Sequence, residues 1–187
     1  MSAAVMLERI AEASPRSKTR IAGVLNLLTI LTGIFASFMS HGRWSFVAEL
    51  FAALCNIVVT LLLYDIFRPV NRGASLLAAC FGLVVSAMGA LQWHPGGVDV
   101  GLMAFGVYCL LIGYLIFRST FLPRILGALV AFAGLAWLTV LSPPLTSYLS
   151  PYNMAAGILG QISLTLWLLV MGVNVQRWNE QAGASRV

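Results

Sequence analysis

FVAELFAALCNIVVTLLLYDIF, from Phe46 to Phe67, is followed by the polar link RPVNR at Arg68–Arg72 and then by ASLLAACFGLVVSAMGALQW from Ala74 to Trp93. Each apolar run holds about 20 residues, and a helix rising ~1.5 Å per residue then spans the ~30 Å hydrocarbon layer of a bilayer. Hydrocarbon offers no water to satisfy backbone groups, so both runs are read as helices. They are two consecutive spans joined by a short link.

The same pattern recurs on either side, at Ile21–Met39 before these two spans and at Val98–Phe117, Arg124–Leu141 and Asn153–Val173 after them. The expected fold is an all-α, polytopic bundle of six transmembrane helices. Residues 1–20 precede it as a short amphipathic helix or a disordered segment, 21–173 form the membrane domain, and 174–187 form a tail. Hydrophobic residues make up 60% of the chain and charged ones 9%, against roughly a quarter charged in ordinary soluble domains. With links this short there is no room for a soluble catalytic domain, so any function lies in the bundle or at its mouths.

The net charge of +5 is topological rather than a nucleic-acid footprint. With the N-terminus inside, Arg9, Arg16, Lys18, Arg20, Arg68, Arg72, Arg118, Arg124, Arg177 and Arg186 fall on the cytoplasmic side and Arg43 alone falls outside. That asymmetry predicts both termini in the cytoplasm and adds an attraction to anionic membrane lipids. Trp44, Trp93, Trp137, Tyr148 and Tyr152 are expected in the outer aromatic belt, and Tyr64, Tyr114 and Trp178 in the inner one. Trp167 falls inside the last span, where packing is the simpler role.

The first twenty residues do not read as a cleavable signal, because their charges run directly into a full-length span. Val5, Met6, Ile10 and Ala13 could form one apolar stripe there, ended by Ser14 and Pro15. Cys55, Cys80 and Cys109 each lie within a span and are read as small apolar fillers, not as a disulfide framework or a metal centre. No metal and no cofactor is implied.

Arg20, Arg72 and Arg124 recur at a constant interval, RIAGVL at Arg20–Leu25 resembles RILGAL at Arg124–Leu129, and YDIFR at Tyr64–Arg68 resembles YLIFR at Tyr114–Arg118. Three parallel helical hairpins would explain this, but so would selection for Arg at every cytoplasmic end. Ala78, Gly82, Ser86 and Ala90 lay a small-residue ridge along the third span, with lesser versions at Gly127 and Ala131 and at Gly157 and Gln161.

RIAGVLNLLTILTGIFA at Arg20–Ala36, LLLYDIFRPVNRGASLLAA at Leu61–Ala79, CLLIGYLIFRSTFLPRILG at Cys109–Gly127 and LWLLVMGVNVQRW at Leu166–Trp178 together resemble the bacterial membrane family catalogued as domain of unknown function 4386. The resemblance implies a multi-pass protein of the bacterial cytoplasmic (inner) membrane and carries no established activity. Members of that family often have ionisable residues where this chain has Asn56, Tyr108, Gln161 and Met171, and they run longer in the outer loops. If those positions carry the family's function, it is altered here.

Polar groups inside a bilayer are costly and so are functional candidates when they face a bundle interior. Asn56, Tyr108 and Gln161 each lie eight to ten residues into an inward-running span, near mid-membrane, and are expected to form one polar layer. They either line a ligand site or simply glue helices together, at about 0.6 kcal/mol per hydrogen bond. Asn26 lies nearer the cytoplasm and is expected to bond a neighbouring helix. His41, Glu49, His94 and Asp99 gather with Arg43 at the outer mouths, either as a polar cluster able to bind a transition metal or relay protons or as solvated loop residues, with Glu49 in the first turn of its helix. Asp65 stands one turn before Arg68, the spacing of an ion pair.

No HExxH, phosphate loop, GxSxG or CxxC occurs, and Glu49 and Asp65 share one helix at separations that exclude an acidic dyad. No catalytic residue is assigned. The expected function is non-enzymatic: binding a small apolar or amphipathic molecule or lipid, or supporting a membrane partner, with assembly with a second copy left open. A small transporter or proton-linked carrier is the alternative.

Overall fold

The computed structural model describes residues 14–38, 43–91 and 100–184. Six helices in it are long and apolar enough to cross a membrane. They are α1 (Pro15–Phe38), α2 (Arg43–Phe67), α3 (Arg72–Leu91), α4 (Val100–Arg118), α5 (Arg124–Leu138, extended by a 3-10 turn at Thr139–Leu141) and α7 (Tyr152–Val170). A short helix α6 (Pro143–Leu149) and a last helix α8 (Val175–Ala184) complete the elements among the described residues. The protein is a multi-pass, all-helical membrane protein, as its composition requires.

The spans stand in chain order around a closed ring: each packs on its sequence neighbour, α5 packs on α7, and α7 returns to α1. The link residues Arg68–Asn71 and Ser119–Pro123 lie with both described chain ends at one end of the bundle, called here the basic end. Consecutive spans are antiparallel, yet α4 and α5, which belong to different sequence hairpins, make the most extensive contact. The reason is a pair of heptad-spaced glycines on each helix. A methyl group built on Gly113 would lie 2.8 Å from the Gly127 carbonyl oxygen, and one on Gly134 would lie 2.8 Å from that of Gly106. Without side chains there, the two backbones approach closely, which is what drives association where lipid cancels the hydrophobic effect. The ridge on α3 is also used: Ala78, Gly82 and Ser86 are buried.

The bundle is solid at the basic end. Leu63, Ile66 and Phe67 of α2 meet Ile112, Leu115 and Ile116 of α4, with Val130 and Leu168 from α5 and α7, all essentially without exposure. Phe67 stacks on Phe121 of the α4–α5 link at 6.0 Å.

Three features depart from the sequence reading. First, α1 starts at Pro15, a residue pre-set for a first helical turn, with the Ser14 hydroxyl accepting from the Ser17 N–H at 3.3 Å. Arg16, Lys18 and Arg20 are therefore helical, and Lys18 reaches Asp65 on α2. Asp65 thus pairs between helices rather than with Arg68. Second, residues 174–184 are not merely a tail. α7 ends at Val170, and Gly172 beyond it takes the left-handed conformation at φ 64°, where a Cβ would be strained. The chain then turns into α8, where Trp178 donates its Nε1–H to the Ile66 carbonyl at 2.9 Å and Gln181 accepts from Thr120 N–H at 3.1 Å. Third, Trp137, in the last turn of α5, turns inward: it is half-buried and meets Phe105 edge-on at 6.0 Å. The stripe expected at Val5–Ala13 lies outside the described residues.

Candidate functional site

The half of the ring away from the basic end is hollow. A cavity of about 590 Å³ lies there, and all six spans contribute to its wall. Pockets of 300–1,000 Å³ are the usual size for small-molecule sites. The lining residues follow from helix periodicity. Asn26, Thr29, Ile30 and Gly33 of α1 sit at i, i+3, i+4 and i+7, one face of one helix; Glu49 and Asn56 of α2 stand two turns apart on another. Val85, Met88 and Gly89 come from α3, Leu102 and Phe105 from α4, Trp137 from α5, and Ile158, Gln161 and Ile162 from α7. The lining runs from mid-helix, at Asn26, Asn56 and Gln161, toward the distal end.

Most of the wall is aliphatic or aromatic, and its polar groups are few and placed. Asn56 donates its amide N–H to Ser86 Oγ on α3 at 2.9 Å. Ser86 in turn donates to the Gly82 carbonyl at 3.0 Å. Gln161 donates across the bundle interior to Cys109 Sγ on α4 at 3.2 Å. Asn26 donates to Thr165 Oγ1 on α7 at 2.7 Å, as a neighbour-bonding role requires, and Thr165 donates to the Gln161 carbonyl at 2.7 Å. In all three amides one N–H bonds a neighbouring helix, while among the described residues no protein donor reaches the side-chain carbonyl oxygen. The cavity floor therefore offers acceptors. Glu49, on the wall about 10 Å farther out along α2, adds another acceptor group.

Of the three residues read as a mid-membrane layer, the structure brings Asn56 and Gln161 to the cavity. Tyr108 is 7% exposed and lies beneath it, stacked on the wall residue Phe105 at 6.1 Å. Its ring packs where Gly82 lacks a Cβ, since a Cβ there would be 3.1 Å from the Tyr108 edge. Tyr108 thus supports the floor and does not line it. Met171 lies past the end of α7 and outside the layer.

Of the outer cluster, His41, His94 and Asp99 lie outside the described residues. Glu49 is the seventh residue of α2, not in its first turn, because the helix starts at Arg43. Among the described residues no three His, Cys, Asp or Glu side chains are grouped as a metal site. Sequence reasoning missed Trp137, whose ring covers the α7 backbone where Gly157 has no Cβ. It also missed Thr29 and Gly33, although their i+3 and i+7 spacing from Asn26 was visible.

Comparison with known proteins places this architecture. A family model described as a domain of unknown function, DUF4386, matches residues 38–95 and 85–172. An uncharacterized protein of the archaeon Archaeoglobus fulgidus is 25% identical over 156 residues, covering 78% of this chain and 94% of its own. No solved structure matches. The two family segments together take in α2 through α7, every span but the first, and with them most of the cavity wall. The chain belongs to the DUF4386 family of membrane proteins.

Proposed function

We propose that the distal chamber binds one small amphipathic molecule, apolar in its body and hydrogen-donating at its head, and that the protein performs no bond-breaking chemistry on it. The observation that carries this is the acceptor floor formed by Asn26, Asn56 and Gln161 beneath an apolar wall built from all six spans. A typical hydrogen bond contributes about 0.5–1.5 kcal/mol net, so a ligand head that donates to these open side-chain oxygens gains stabilisation from each of them. The solid core at the basic end favours a binding chamber over a conducting path in this state.

The test uses purified protein in nanodiscs titrated with dodecylamine, dodecanol and dodecanoate. Dodecylamine is expected to bind saturably and tightest, and dodecanoate weakest. Asn56→Leu together with Gln161→Leu should weaken the amine about tenfold or more. Partitioning identical to that of empty nanodiscs would sink the proposal.

We further place the protein in a prokaryotic cytoplasmic membrane with both termini inside and the chamber toward the outer side. The support is the clustering of Arg16, Lys18, Arg20, Arg68, Arg72, Arg118, Arg124 and Arg177 at the basic end. In whole cells, a membrane-impermeant maleimide should label a cysteine introduced at Tyr148 but not one at Gly183, in a background lacking Cys55, Cys80 and Cys109. The opposite labelling would reverse the orientation.

A further inference from the structure

We infer that the basic end carries a second site, separate from the distal chamber: a phosphate-binding pocket closed by the C-terminal helix. A cavity of about 490 Å³ opens between the α2–α3 link and α8, with Asp65, Arg68, Asn71, Arg72 and Trp178 on its wall. Arg68 and Arg72 are exposed, and among the described residues neither has an acidic partner. The carboxylate on the wall, Asp65, is already engaged by Lys18. Arg68 and Arg72 therefore leave two positive charges uncompensated around the cavity.

A planar guanidinium matches two oxygens of one phosphate at once, so paired arginines at the mouth of a pocket suit a phosphate group better than a halide. Pro69 and Val70, held by the Val70 N–H to Phe67 carbonyl bond at 2.9 Å, make the link a tight turn. The Asn71 side chain caps α3 through the Ala74 N–H at 3.0 Å. Both arginines thus flank a rigid turn.

Trp178 supplies the opposite, apolar wall. Its one donor is spent on the Ile66 carbonyl, so the indole is fixed as a surface and is not itself a phosphate ligand. The pocket exists only because α8 docks there.

Position identifies the source of the phosphate. The apolar run of α2 ends at Phe67 and that of α3 begins at Arg72, so the pocket lies at head-group depth, where aromatic and basic residues meet the lipid interface. A phosphodiester of an anionic lipid fits both the charge and the depth. A soluble phosphate compound is the other source of the same chemistry.

The experiment uses the full-length protein in nanodiscs of phosphatidylcholine, with or without a minority of phosphatidylglycerol, and counts retained lipid by native mass spectrometry. Phosphatidylglycerol should be retained over phosphatidylcholine. Retention should fall about tenfold or more in the Arg68→Gln, Arg72→Gln double variant but not in Arg118→Gln, Arg124→Gln, which removes two basic-end charges outside the pocket. The Arg68→Lys, Arg72→Lys variant keeps the charge and loses the planar fork, so it should fall in between. In the phosphatidylcholine discs, inorganic phosphate is added and the melting temperature followed. A rise that the Arg68, Arg72 variants abolish assigns the pocket to soluble phosphates, and a rise with phosphatidylglycerol alone assigns it to lipid. Equal loss in both glutamine pairs, or no loss in either, overturns the site.

Discussion

Replacing Gly113 by valine is expected to keep α4 and α5 from seating, and to be strongly destabilising. The added Cβ would sit 2.7 Å from the Ala131 amide nitrogen, 2.8 Å from the Gly127 carbonyl oxygen and 2.9 Å from the Ala131 Cβ. Two of these neighbours are backbone and cannot rotate away. Overpacking a rigid site typically costs 1–3 kcal/mol, and here the helices must separate along a shared ladder, so a loss of about 3 kcal/mol or more is expected. Gly127→Val should behave alike, because its Cβ meets the Gly113 carbonyl oxygen and the Phe117 amide nitrogen at 2.8 Å. Gly89→Ala is the control: a Cβ there meets nothing within 4 Å, so its effect should stay within about 1 kcal/mol. Thermal melts of the detergent-solubilised variants measure the difference. Gly113→Val melting with the parent protein would mean that α4 and α5 do not approach as described.

Gly89→Leu, by contrast, is expected to abolish dodecylamine binding while leaving the bundle folded. Gly89 lies on the cavity wall with open space beyond it, so a leucine side chain enters volume that a ligand would use. Binding should weaken by more than about tenfold, the loss of at least 1.4 kcal/mol of contact. The melting temperature should hold or rise, since filling an apolar cavity adds buried contact. This combination separates occupancy from stability, which a polar-to-apolar change at Asn56 or Gln161 cannot do alone, because both amides also bridge helices. Unchanged dodecylamine affinity in Gly89→Leu would place the ligand elsewhere.

The six spans were legible because their signal is local: about 20 apolar residues between polar links suffice to define a span, and the chain has six such runs. The first span's true start was hidden. Ser14 and Pro15 were read as the end of a preceding helix, when they are the cap and first turn of α1. The pairing of Asp65 was hidden for a related reason. An i+3 neighbour is visible in sequence, whereas a lysine 47 positions away becomes a partner only once α1 and α2 lie side by side.

The candidate site divides in the same way. That Asn56 and Gln161 sit at membrane depth was readable from their distance along each run. That Tyr108 lies under the cavity and Trp137 beside it depends on helix rotation, which no single run of residues specifies. Gly157 leaves room for the Trp137 ring, and Gly82 for the Thr60 side chain with the Tyr108 ring beside it.

By itself the sequence determined the number of membrane helices, their order and the basic end, because hydrophobic length and charge act on each segment independently of the others. Only the tertiary structure decided which faces turn inward, that α4 and α5 form the tightest pair, that the ring is solid at one end and hollow at the other, and that α8 closes a pocket over Arg68 and Arg72. Those outcomes depend on contacts between segments far apart in the chain, where one missing Cβ sets how closely two backbones approach.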